Sequence, residues 1–234
     1  MRKVTIQSGT TRYPLSLVGR EAAICYGADI SNEEKNKKRG IDCLKSEHGR
    51  TLEFPQIYLT LEGYSARVIR ELYTHIGGAP TRLSASTRYI DYQDFEYVTP
   101  PSIADNKDRA AAYTNTMKYI SGSMKLLEAL GTPREDLAML LPLGMTQTCV
   151  IRTNLRQLID MSHQRLCTRA NHEFQQLMRD ILNELCEYSE EWKYIVTHYC
   201  VPKCEYLGRC PEAHSCGRFS KKEQSNELAG NTKE

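Results

Sequence analysis

Three groups of side chains in this sequence have the types and spacing of working chemistry. The first is Asn154, Arg156, Asp160 and Arg165, within NLRQLIDMSHQR. Read as one helix at about 100° per residue, Val150, Asn154, Leu158, Met161 and Arg165 fall within roughly 80° of one another, so a guanidinium sits in an apolar stripe. Such a cation needs a partner in low dielectric: a carboxylate from elsewhere in the chain, or an anionic ligand. Arg156 and Asp160 fall on the other side, toward solvent or a neighbouring subunit. The second group is Arg82, Ser84, Ser86 and Arg88 in a Gly/Ser/Thr-rich stretch, where guanidinium forks and hydroxyls can surround a phosphate. Taken alone that composition is also ordinary surface loop. The third is Cys200, Cys204, Cys210 and Cys216, with His198 and His214 nearby. Four thiolates so close can hold zinc or an iron–sulfur cluster. Because the spacing lacks Cys-x2-Cys pairs, reduced surface thiols or a redox pair remain as alternatives.

A scaffold must position these groups. With 234 residues and 40% hydrophobic content, the chain can bury one full core. A net charge of +2 gives no nucleic-acid footprint, and neither a signal core nor a membrane-length apolar run is present, which points to the cytoplasm. An odd count of nine cysteines argues against a disulfide framework. KVTIQ at 3–7 alternates as a strand, and GREAAICY has helical composition. SNEEKNKKRG is expected as a solvated loop or helix end, with a helix following it to near Gly49. Gln56 to Glu62 is the clearest strand, stopping at Gly63; Ser65 caps a helix that ends at Gly77-Gly78. IDYQDFEYV has strand composition, and Asp105 to Leu130 is a long helix capped by Asp105. Thr132-Pro133 starts another helix, Pro142 ends it before the helix of the first group, and Thr168 caps a last helix to about Trp192. The expected organisation is a domain over 1–195, a Cys-rich appendage over 196–218 and a disordered tail over 219–234.

In chain order, several segments together resemble the flavin-dependent thymidylate synthases, a family separate from the cysteine-nucleophile thymidylate synthases. The likeness covers roughly residues 19 to 185. Ala22-Ala23-Ile24-Cys25-Tyr26 is similar to the family's Ala-Ala-Arg-x-Cys-Tyr, and His48-Gly-Arg-Thr-Leu-Glu53 to its His-x4-Glu. Glu62-Gly63-Tyr64-Ser65 resembles the Glu-Gly-x-Ser before the signature helix. The signature itself, Arg-His-Arg, seven residues, then Ser with Arg-Tyr behind, is matched by Thr74-His75-Ile76 and, two residues farther on, Ser86-Thr87-Arg88-Tyr89. Leu141-Pro142, Asn154-Leu155-Arg156-Gln157-Leu158, Arg165 and Ala170-Asn171-His172-Glu173 complete it. Departures are plain: Thr74 and Ile76 replace two arginines, Glu71 a Gln, Ser84 a Glu, Ala138 an Arg and Asp160 an Asn. Arg82 and Arg50 are candidate replacements for the lost cations.

The resemblance implies an α+β fold, an antiparallel sheet packed with long helices, in a homotetramer with active sites between subunits. It implies reductive C5 methylation of deoxyuridine monophosphate (dUMP) to thymidylate, with methylenetetrahydrofolate giving the carbon and NADPH reducing FAD. Arg165 would hold the base, and with Ser86 it is the catalytic candidate. Ser86, Arg88, Glu71 and Arg82 would meet the rest of the nucleotide; His48, Glu53, His75, Asn154, Arg156 and Asp160 would line the flavin. No cysteine nucleophile is expected in the site. Two other readings stand beside this one: a flavoenzyme of the same fold alkylating another pyrimidine nucleotide, and a non-catalytic nucleotide- or metal-binding relic.

Overall fold

The structure, a computed structural model, describes residues 1–75 and 81–218. Its elements run β1 (Lys3–Ile6), α1 (Pro14–Ile24), α2 (Glu33–Lys45), β2 (Gln56–Ser65), α3 (Ala66–Leu72), β3 (Arg82–Ser84), α4 (Pro101–Ala104), α5 (Lys107–Ala129), α6 (Arg134–Leu137), β4 (Thr146–Asn154), α7 (Leu155–Arg165), α8 (His172–Tyr188), α9 (Glu190–Tyr199) and α10 (Lys203–Leu207). Four strands form one sheet in the order β1-β2-β4-β3. β3 pairs antiparallel with β4, placing Arg82 opposite Ile151 and Ser84 opposite Cys149. The expected α+β class with an antiparallel sheet is what the chain adopts. No helix among the described residues is long and apolar enough to cross a membrane.

Two compact units divide the chain. One comprises residues 1–4, 60–74 and 81–151; the other comprises 5–59, 75–80 and 152–234. In the first unit, Ser65 caps α3 by accepting from the Val68 amide at 3.2 Å, as expected. β2 does not stop at Gly63 but continues to Ser65, because Gly63 takes φ 73° and a Cβ there would stand 2.5 Å from the Met1 carbonyl oxygen. α5 begins one residue later than expected, with Asn106 rather than Asp105 as its cap. Asp91 to Val98 forms no regular strand: Tyr97 makes an isolated bridge with Met145, and Arg82–Ser84 is the strand instead.

In the second unit the charged segment takes the second of its two expected forms, a solvated helix end rather than a loop. It is the first half of α2, capped by Asn32, with Glu33 and Glu34 in the first turn and Lys45 in the last. α2 buries Asn36, Gly40, Cys43 and Leu44, a helical spacing masked by two residues that are not hydrophobic. α1 and α2 pack at backbone contact: a Cβ on Gly19 would come within 1.8 Å of the Asn36 carbonyl oxygen, and one on Gly40 within 2.0 Å of that of Leu15. Buried Glu191 of α9 accepts from the amides of Leu15 and Ser16 at 2.7 and 3.1 Å, satisfying two donors at the start of α1. The expected last helix is two, broken at Ser189, which caps α9, while Asn171 rather than Thr168 caps α8.

The helix through Val150 is also corrected. Thr146–Asn154 is a strand whose Cys149, Ile151 and Thr153 alternate inward, a period of two that the 3.6-residue reading overrode. Helix α7 starts only at Leu155, so Val150 and Asn154 share no helical face with Arg165. The expected tail over 219–234 lies outside the described residues, as do Ile76 and the Gly77-Gly78 stop.

Candidate functional site

In the second unit, Glu53 is the hub of the residues proposed for a flavin. It lies in a short turn, Thr51–Glu53, ahead of β2 and accepts from Arg50 at 3.0 Å and from Arg156 at 2.8 Å. Arg156, then Arg50, hold its carboxyl below the usual carboxylate range. His48 is exposed on the same loop, whose next residue runs against the Arg156 guanidinium: a Cβ on Gly49 would come within 3.2 Å of Arg156 Cζ. Asn154 ends β4 and caps α7 through the Gln157 amide at 3.0 Å, and Leu155 donates to the Pro55 carbonyl at 3.1 Å. The structure therefore brings Glu53 and Arg156 together, while His48 is placed there only as the residue before Gly49. It gives Asn154 a capping duty, and it leaves Asp160 exposed on the outer face of α7.

His75 and Arg165 meet although they are ninety residues apart, with Arg165 Nε donating to His75 Nε2 at 2.6 Å. Arg165 Cζ stands 4.9 Å above the centre of the Phe174 ring, and His75 packs edge-on to that ring at 5.6 Å. His75 accepts only when neutral; burial first, then the Arg165 charge, lowers its pKa from 6.5. Arg165 terminates α7, which orients its guanidinium from a fixed element, and Phe174 comes from the first turn of α8. Phe174 went unnoticed in the sequence because one aromatic in an amphipathic helix reads as core.

In the first unit the Ser/Arg stretch forms two clusters. Arg82 stacks on Tyr73, its Cζ 3.8 Å from the ring centre, and the Tyr73 hydroxyl hydrogen-bonds with Ser84 Oγ. Buried Cys149 lies under them, its Sγ 3.9 Å from the same hydroxyl. A thiol is thus at this cluster, where the sequence led us to expect none. Ser86 has the local role a loop hydroxyl often takes, accepting from the Arg88 amide at 3.2 Å. Arg88 forms an exposed ion pair with Glu135 at 2.9 Å, and Glu71 is half-buried in the last turn of α3. Tyr73, Cys149 and Glu135 carried no sequence signal, because each acts through a contact that β3–β4 pairing or the packing of α6 creates.

The four C-terminal cysteines do not converge as a set. Cys200 closes α9, 3% exposed, hydrogen-bonded to the Ser162 hydroxyl, and burial pushes its thiol up to about 12. None of the nine cysteines is joined in a disulfide, and among the described residues no three His, Cys, Asp or Glu side chains gather closely enough to hold one metal ion.

Residues 9–189 match the family described as thymidylate synthase complementing protein. The flavin-dependent thymidylate synthase of Nitratidesulfovibrio vulgaris is 29% identical over 231 residues, covering 89% of this chain and 92% of that protein. The protein of the same name from Clostridium tetani is 28% identical over 233 residues, covering 89% and 90%. Among solved structures, thymidylate synthase X of Helicobacter pylori with FAD and dUMP superposes with a TM-score of 0.65 at 17% identity, over 85% of this chain and all of that one. A UMP/dUMP methylase of Streptomyces cacaoi bound with 5-bromo-dUMP gives 0.67 at 14% identity, over 86% of this chain and 97% of that one.

Proposed function

The chain belongs to the flavin-dependent thymidylate synthase family, its match running from residue 9 to 189, and from that membership we propose that it converts dUMP to thymidylate. Methylenetetrahydrofolate is the carbon donor and NADPH the reductant, with FAD as resident cofactor. The observation carrying the reading is the His75–Arg165 contact at 2.6 Å, which joins the signature segment to the end of α7.

The donor set suits an anionic dinucleotide. Arg50 and Arg156 present half-exposed or exposed guanidinium groups, and Gly49 runs so close to Arg156 that a Cβ there would crowd its guanidinium. FAD bound there supplies a hydride for the methylene carbon. Arg50, Arg156 and His48 would hold its phosphates, and Glu53 keeps both guanidinium groups in register until they are engaged. Asn154, at the start of α7, and Asp160, on its outer face, would border the cofactor. Arg165, oriented by His75 on one side and Phe174 on the other, would hold and polarise a uracil carbonyl with its positive charge. Arg82, Ser86 and Arg88 would take the nucleotide phosphate, Arg88 exchanging Glu135 for it, with Glu71 at the ribose side. This assignment leaves the chemistry without a protein nucleophile.

Long helix α5 carries apolar residues on a face its own unit does not bury, which supports a homotetramer whose subunits complete one another's sites. Substrates of this kind belong in the cytoplasm. The decisive experiment is an assay of purified protein: a yellow, flavin-containing preparation that forms thymidylate from dUMP, NADPH and methylenetetrahydrofolate. A colourless protein without turnover refutes the proposal. The departures Thr74, Ser84 and Ala138 favour one second reading, a preference for another pyrimidine nucleotide; it prevails if uridine monophosphate is methylated and dUMP is not.

A further inference from the structure

A second cavity, which shares Arg165 with the assignment above and otherwise draws on other residues, opens in the second unit. It holds about 590 Å³ and is lined by Cys167, Cys204, Cys210 and Cys216 together with His163, Arg165, Arg169 and Lys203. Cys167 comes from the turn between α7 and α8, Cys204 from α10, and the other two from the loop that α10 feeds through left-handed Gly208. Cys200 is not among the lining residues; its place as fourth thiol is taken by Cys167, thirty-three positions earlier. No reading of the 200–216 spacing finds that residue.

The surroundings favour an anionic occupant. Three cations line the cavity, and Arg218 donates toward Cys204 Sγ at 3.9 Å. The acidic Glu212 on the wall is already ion-paired with Arg169 at 3.1 Å. His163 contributes a buried Nε2 with no hydrogen-bond partner among the described residues. The geometry separates two classes of thiolate ligand. A zinc ion with Zn–S bonds of about 2.3 Å draws four sulfurs to within about 3.8 Å of each other. Among the described residues no three such groups are gathered for one ion, yet four thiols face one cavity. A polynuclear centre does not ask the four to meet at one ion, because each thiolate binds a different metal atom at a corner of the cluster.

We propose that Cys167, Cys204, Cys210 and Cys216 ligate an iron–sulfur cluster in this cavity. Assembly replaces four S–H bonds by four Fe–S bonds and releases four protons, without change of oxidation state at the protein sulfurs. Arg165, Arg169 and Lys203 offset the negative charge of the thiolate-bound cluster, and the His163 imidazole is a hydrogen-bond partner for its sulfurs.

The full-length protein is purified anaerobically, reconstituted with sulfide and equal amounts of ferrous and ferric iron, and desalted. Iron and acid-labile sulfide are expected in equal amounts, about four of each per chain, with a paramagnetic resonance signal after dithionite reduction. The iron and sulfide counts are independent of flavin. Cys167→Ser and Cys216→Ser should each lower bound iron at least about fivefold while flavin content and melting temperature stay near wild type, and Cys200→Ser should keep the iron. Cys216 is exposed, so its variant folds even if the buried Cys204→Ser does not. No iron and sulfide above background, one zinc per chain without sulfide, or full iron in Cys167→Ser would each overturn the proposal. Thymidylate formation is measured on the same samples, so loss of one assignment leaves the other standing.

Discussion

His75 accepts the Arg165 Nε–H only while its ring is neutral, and that makes the contact sensitive to pH. In the unfolded chain His75 titrates near 6.5; in the folded one burial and Arg165 depress it. Between those two values the unfolded state binds more protons, so the contact's stabilisation is complete above pH 6.5 and is lost as pH falls through the folded value. Melting temperature should drop more for wild type than for His75→Gln between pH 7.5 and 5.5; equal drops would assign the acid sensitivity elsewhere. Arg82 tests the compensation for the signature arginines. Arg82→Ala removes a contact of roughly 1.5–3 kcal/mol if it meets the phosphate, a rise of about ten- to a hundredfold in KM for dUMP with kcat nearly unchanged. An unaltered KM leaves Arg82 as a cap on the Tyr73 ring. The sequence disclosed Arg165 for a sound reason, an arginine among apolar neighbours, though it extended the helix back through a strand. It disclosed neither Tyr73 nor Phe174, because their significance lies in which cation stacks on them.

Helices α1 and α2 show the limit of periodicity at the scale of elements. α2 buries Asn36 and Gly40 where a pattern search looks for Leu or Val, so its first half reads as solvated charge. The actual determinant is steric: glycine at 19 and 40 lets two backbones touch. Gly40→Ala would place a methyl 2.0 Å from the Leu15 carbonyl oxygen, which only a shift of a whole helix relieves. We expect a loss of about 3 kcal/mol or more in urea unfolding. A loss below about 1 kcal/mol would mean that the two helices are looser than described. Glu191 adds a second lock on α1 that no local pattern announces, since it arrives from 175 positions away. By contrast β2 and α3 were legible because each obeys a local rule, inward alternation of Ile57, Leu59 and Leu61 in one and a serine cap in the other.

For the molecule as a whole, α5 decides what a single chain lacks. Met117 and Met124 are 6% and 3% exposed and lie within about 20° of each other around the helix axis, forming its inner stripe. Tyr119 and Leu126, 77% and 63% exposed, are likewise about 20° apart and roughly opposite the methionines, with Leu130 at 73% continuing their line. A 23-residue helix with apolar stripes on opposite sides needs two partners, and its own unit supplies one. A second copy of the chain is the occupant that fits a homotetramer, and light scattering on the wild-type protein should then give close to four times the 26.8 kDa chain. Tyr119→Glu combined with Leu126→Glu puts two carboxylates into that stripe without disturbing Met117 or Met124. The variant should elute as a smaller species while keeping its helical circular dichroism, and thymidylate formation should fall at least about tenfold, as the proposed inter-subunit sites require. A wild-type mass of one chain, or a full-size oligomer in the double variant, would detach α5 from assembly and require the outer stripe to serve some other contact.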